Sequence, residues 1–113
     1  MQENAVCDLS DKHCVPCRGG VLPLKGEALA PLAAQVPQWQ VVDEHHLTRT
    51  LSFPDFVTGL AFVNRLAEVA EAEGHHPDIY LAWGKVRIDI WTHKIDGLTE
   101  SDFILAAKAD SLV

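Results

Sequence analysis

The sequence predicts an α+β sandwich, with helices packed on one face of a four-stranded antiparallel sheet in the order α-β-β-α-β-β-α. Three observations carry this. Two stretches alternate with period two around a turn, a long segment of helical periodicity separates them, and a capped apolar segment closes the chain. At 113 residues the chain can bury one core but not two. Residues 1–24 are expected to form an irregular arm and residues 25–113 a single domain.

The arm, ending in "CRGGVLPLKG", is rich in Gly, Pro and polar residues and has no periodicity. It is expected to lie on the domain or be partly disordered. "EALAPLAAQV" (27–36) has helix-forming composition, but Pro31 interrupts it and predicts a short helix. "WQVVDEHHLTRTLSF" (39–53) reads as two strands joined by the polar turn Asp43–His46. Leu47, Arg49, Leu51 and Phe53 share one face of the second strand, and Thr48, Thr50 and Ser52 the other. His45 and His46 are expected to be solvated at the tip of that turn.

The strongest helix lies in "SFPDFVTGLAFVNRLAEVAEAEG". Ser52, with Asp55 three residues on, predicts its cap, Pro54 suits the first turn, and Gly74 stops it. Phe56, Leu60, Val63, Ala67 and Ala70, flanked by Val57 and Leu66, form the apolar stripe expected to face the sheet. A second hairpin follows, turning at Trp83-Gly84. For Ile79, Leu81 and Trp83 to share a side with Val86, Ile88 and Ile90, Ile79 must pair with Ile88 or Ile90. "LTESDFILAAKAD" predicts a final helix with Thr99 as cap and Asp102 at its third position.

Composition excludes several functions. A net charge of −7 with no basic patch argues against gripping nucleic acid by its phosphates. No apolar run reaches the roughly 18 residues of a membrane span, and the start is too polar for a signal peptide. Three cysteines crowded between Cys7 and Cys17 do not form a secreted disulfide framework, so a cytoplasmic protein with reduced thiols is expected. Cys14-x-x-Cys17, with Cys7 and His13 nearby, is half a zinc site by spacing, but nothing completes it in the usual way. Local packing or a tight turn at Val15-Pro16 is the expected role.

Chemistry is expected where the second hairpin closes. His75 and His93 each lie nine residues from Gly84, so a turn there brings His75, His76 and His93 to one edge of the sheet. Asp102, in the first turn of the last helix, can reach the same cleft. Three histidines and a carboxylate could hold zinc, yet adjacent side chains point to opposite sides, and acid–base work needs no convergence on one point. Imidazole titrates near neutrality unaided, so acid–base chemistry is the preferred reading and no metal or cofactor is expected.

These residues carry a resemblance. Glu71, three residues, His75-His76-Pro77, five residues, Trp83, nine residues, His93, eight residues and Asp102 resemble the motif of the pterin-4a-carbinolamine dehydratases. "PQW", "FPDFVTGLAFVNRLAEVAEAEGHHPD" and "THKIDGLTESDFILAAKAD" extend the likeness over roughly Cys14 to Asp110. The resemblance implies dehydration of 4a-hydroxytetrahydropterin to quinonoid dihydropterin, in tetrahydrobiopterin recycling. It implies His75 and His93 as the acid–base pair and His76 orienting the pterin, with Pro77, Trp83 and Glu71 also at the substrate. Asp102 would hold an imidazole tautomer, although Thr99-x-x-Asp102 is equally a capping box. Glu71 could instead be a solvated helix carboxylate, and Trp83 hairpin packing. Unpaired sheet edges and the resemblance both predict a homodimer or homotetramer. The alternative is a non-catalytic dimerisation or assembly partner, a coactivator or enzyme-assembly factor, on the same fold.

Overall fold

The computed structural model describes residues 9–15 and 22–113; Cys7 and Cys17 lie outside them. Strands β1 (Gln40–Val42) and β2 (His46–Ser52) form the first hairpin, and β3 (Asp78–Ala82) and β4 (Lys85–Ile90) the second. The two hairpins join through β2 and β4, giving one antiparallel sheet in the order β1-β2-β4-β3. Ile79 pairs with Ile88, the first of the two registers that the apolar pattern allows. Gly84, at φ 73°, supplies the left-handed backbone of the Trp83-Gly84 turn. The first turn is one residue shorter than expected, because His46 pairs with Val42 and opens β2.

Leu47 and Leu51 of β2 and Val86, Ile88 and Ile90 of β4 point to one side and are buried there. Arg49 shares that face. Its guanidinium pairs with Asp110, which also accepts a 2.8 Å hydrogen bond from Trp39 Nε1, so the cation is not buried alone. The other face is polar and stays open. Thr48 donates to Asp89 at 2.6 Å, and Arg87 lies 4.2 Å over the Tyr80 ring. The sandwich therefore has helices on one side only.

Helix α1 (Ala30–Ala33) follows a 3₁₀ turn at Gly26–Ala28 and is short, with Pro31 in its first turn. Helix α2 (Phe56–Glu73) departs from expectation in two ways. Its cap is Asp55, which accepts a hydrogen bond from the Thr58 N–H at 2.8 Å and is thereby held below the usual carboxylate range. Its buried stripe is Gly59, Phe62, Leu66 and Ala70, about a quarter turn from the predicted one at 100° per residue. Gly59 explains the rotation. A β-carbon there would fall 3.3 Å from Leu81 Cδ1 and 3.5 Å from Val86 Cγ2, so its absence lets the helix settle on the sheet at that line. Phe56, Val57 and Leu60 are consequently exposed. Gly74, at φ 65°, ends the helix as expected.

Helix α3 (Glu100–Asp110) starts at Thr99 and is buried almost all round, from Ser101 through Ala106 and at Ala109. A helix buried on nearly every side needs cover on nearly every side. The sheet and α2 supply part of it, and the arm supplies another part. Leu9, in a 3₁₀ turn at Leu9–Asp11, is 3% exposed within the core, and Lys108 Nζ donates to Ser10 O at 2.8 Å. Among the described residues no helix is long and apolar enough to cross a membrane.

Candidate functional site

The end of α2, the entry to β3 and the loop after β4 meet around a cleft of about 290 Å³, lined by Val15, Gly74, His75, His76, Trp91, Thr92, His93 and Lys94. Gly74 reverses the chain at the helix end, and its neighbours diverge. His75 turns inward, where its Nε2 lies 2.6 Å from Asp102 Oδ1. His76 turns outward, where its Nε2 lies 2.5 Å from Glu71 Oε2, with both side chains largely in solvent. Among the described residues no three His, Cys, Asp or Glu side chains gather about one point in a way that could hold a metal ion.

Asp102 is fully buried. Its two oxygens divide the work. Oδ2 accepts from the Thr99 N–H at 2.8 Å, half of the predicted capping box, and from Thr92 Oγ1 at 2.8 Å. Oδ1 is left for His75. The capping role and the imidazole-holding role, which the sequence offers as alternatives, are both filled by one carboxylate. A neutral His75 donating its Nε2–H to Asp102 Oδ1 would keep Nδ1 as acceptor, and among the described residues Nδ1 has no hydrogen-bond partner.

His93 reaches the cleft by a different route from the predicted one. Strand β4 stops at Ile90, and Thr92 to Gly97 form a small loop closed by the Thr92 N–H donating to Gly97 O at 2.8 Å. Within it His93 opens a 3₁₀ turn, His93–Ile95, its ring packed on Trp91 with centroids 4.4 Å apart. The hairpin argument brings His75, His76 and His93 to one end, where all three line the cleft. It does not foresee that the strand ends three residues early.

Other expected positions fall elsewhere. Trp83 is 72% exposed at the β3–β4 turn, the opposite end of the hairpin from the cleft, with the whole of β3, about 16 Å at strand rise, between them. Within this chain it belongs to the turn and does not line the cleft. Pro77 is half-buried ahead of β3 and does not line the cleft; Glu71 touches it only through His76. His45 and His46 are not merely solvated. The β2–β4 register, pairing Leu47 with Ile90, sets them beside Trp91. Their rings lie 5.3 and 5.9 Å from the indole, and His45 Nε2 lies 2.7 Å from Asp96 Oδ1.

Val15, Trp91, Thr92 and Lys94 are the lining residues that sequence reasoning misses. Trp91, two residues before His93, was legible as an aromatic beside the motif. Val15 carried no such signal.

A model of the family described as pterin 4 alpha carbinolamine dehydratase matches residues 22–112. A Rubrobacter xylanophilus protein, provisionally named a pterin-4-alpha-carbinolamine dehydratase, is 60% identical over 105 residues, covering 93% of this chain and 98% of its own. A Rickettsia bellii protein with the same provisional name is 51% identical over 107 residues, 94% of this chain and 95% of its own. Among solved structures, a transcriptional coactivator/pterin dehydratase from Brucella melitensis is similar with a TM-score of 0.75 and 31% identity, over 80% of this chain and 97% of that one. A pterin dehydratase-like protein, identified as a RuBisCO assembly factor in the alpha-carboxysome, is similar with a TM-score of 0.58 and 25% identity, over 66% and 88%.

Proposed function

From the pterin 4 alpha carbinolamine dehydratase family, to which this chain belongs, we propose that the protein dehydrates 4a-hydroxytetrahydropterin to quinonoid dihydropterin and water, in the recycling of tetrahydropterin cofactors. The observation that carries this is the His75–Asp102 contact at a cleft lined also by His76 and His93. In the reaction the C4a–O bond breaks, the hydroxyl leaves as water after taking a proton, N5 gives up its proton, and a C4a–N5 double bond forms. An acid and a base on different sides of the substrate are sufficient.

His75 is the proposed base at N5. The buried Asp102 carboxylate fixes its tautomer, presents Nδ1 to the substrate, and stabilises the imidazolium that forms, as a carboxylate does behind other catalytic histidines. His93 is the proposed acid at the 4a oxygen, and His76 orients the pterin. The protein would work in the cytoplasm without a cofactor. Spectroscopic assay of 4a-hydroxytetrahydropterin dehydration, with protein stripped by chelator, tests the reading. Acceleration is expected, and no acceleration over the uncatalysed rate would refute it.

A second reading is favoured by the exposed Phe56, Val57 and Leu60 and by the coactivator and assembly-factor names of the structural neighbours. A small domain with two unpaired sheet edges and an apolar helix face gains by self-association, so we propose a homodimer or homotetramer that also serves as a platform for a protein partner. Light scattering tests the association. A mass near the 12.4 kDa of one chain at micromolar concentration would exclude it.

A further inference from the structure

We infer that residues 13–15 of the arm are a strap that completes the cleft, with Val15 a specificity-determining contact for a flat bicyclic ligand. The inference rests on the pterin reading above. Val15 lies before the first residue that the family model matches, yet its side chain lines the cleft and is 70% exposed. An aliphatic side chain held in solvent beside three imidazoles and a lysine gains only when something apolar covers it.

Its backbone is fixed at both polar groups. The Val15 N–H donates to Ser101 Oγ at 3.0 Å, and Ser101 Oγ in turn lies 3.4 Å from Val15 O. Ser101 is buried next to Asp102 in the first turn of α3, so the strap is referred to the same helix start as the His75 partner.

One residue back, Glu73 anchors the strap to the end of α2. Its side chain is 8% exposed, and its oxygens meet the Cys14 N–H at 2.7 Å, His13 Nδ1 at 3.0 Å and Lys108 Nζ at 3.6 Å. Burial alone would raise this carboxyl, but those hydrogen bonds and the Lys108 charge outweigh it and hold it below the usual range. Cys14 registers the same enclosure. Burial first, then the Glu73 charge, pushes its thiol up to about 12. Glu73 thus sits two residues before His75 and grips the strap from below, which makes it a positioning residue and not a catalytic one.

The test is fluorescence-quench titration of the full chain with biopterin, a stable oxidised pterin, beside steady-state dehydration kinetics. Val15→Ser is expected to weaken biopterin binding by about five-fold and to raise KM with kcat within two-fold, because it removes ground-state contact only. Val15→Ile should restore affinity. Glu73→Gln should shift binding in the same direction as Val15→Ser, although Glu73 does not line the cleft, and should speed alkylation of Cys14 as followed by mass spectrometry. Wild-type affinity in Val15→Ser with an unchanged melting temperature overturns the inference. A wild-type protein that binds biopterin through Val15 but does not dehydrate the carbinolamine upholds the strap and refutes the dehydratase reading. Failure of the wild type to bind biopterin overturns both.

Discussion

Two adjacent histidine pairs occupy similar places in this chain, and the structure treats them differently. His75-His76 follows the end of a helix, and His45-His46 closes the turn of a hairpin. Both pairs have a carboxylate within hydrogen-bond reach. For His75 that carboxylate is Asp102, fully buried and held by two further hydrogen bonds. For His45 it is Asp96, whose side chain is 86% exposed. A partner fixed in a dry site sets a tautomer and an orientation, whereas a partner on the surface is exchanged with water. The surroundings of the partner, more than the presence of a carboxylate, separate a proposed catalytic histidine from a supporting one.

Substitutions at His75, His93, His76, His45 and Asp102 measure that separation. The largest effect is expected at the buried end. His75→Ala, and His93→Ala across the cleft, should each lower turnover by about a hundred-fold or more, the usual worth of a positioned acid or base. Melting temperatures recorded alongside the kinetics separate lost chemistry from lost fold, and near-normal turnover in folded His75→Ala would break the comparison. Asp102 should show both of its roles. Asp102→Ala leaves the Thr99 N–H without its acceptor, while the Thr92 hydroxyl keeps Thr99 Oγ1 at 3.2 Å, and should cost about 1–3 kcal/mol in denaturant unfolding. Asp102→Asn retains an acceptor for the cap, so it should keep most of the stability while turnover falls.

His76→Ala comes next, with KM rising more than kcat falls, since its bond to the exposed Glu71 orients the ring without burying it. The smallest effect is expected for His45→Ala. It removes support from behind Trp91 and should raise KM by about three-fold with kcat within two-fold, in keeping with a contact to a surface partner worth under about 1 kcal/mol. A loss of turnover as deep as that of His75→Ala would show that the burial of the partner does not decide.

Much of this was legible locally. Alternation in "LTRTLS", the Trp83-Gly84 turn and Thr99-x-x-Asp102 each depend on residues within a few positions, and they mark the strands, narrow one register to two choices and place the final helix. The cleft was legible as well, because a single hairpin carries His75 and His93 to the same end. What was missed depends on distant pairing. The partnership of β2 with β4 sets His45 and His46 beside Trp91, and no local pattern announces which hairpin strands will meet. The buried face of α2 turns on Gly59, whose contribution is an absent side chain that adds nothing to an apolar stripe. Burial of Leu9 follows from the enclosure of α3, a demand for cover that the "FILAA" run states without naming what answers it.

The division of Asp102 between a helix start and an imidazole bears on how such a chain could change over generations. A descendant that abandoned the chemistry would still need the Thr99 and Thr92 hydrogen bonds to begin its last helix, so selection for a folded protein alone would keep the carboxylate. His75 is held by fewer ties: it takes no part in the helix cap, and its contact with the fold is through Asp102 Oδ1 alone among its side-chain hydrogen bonds in the described residues. Drift away from catalysis would therefore erase the histidine first and leave the aspartate standing as a relic of the fold. In a set of related chains, position 75 is expected to lose its histidine before position 102 loses its aspartate wherever the proposed chemistry is absent.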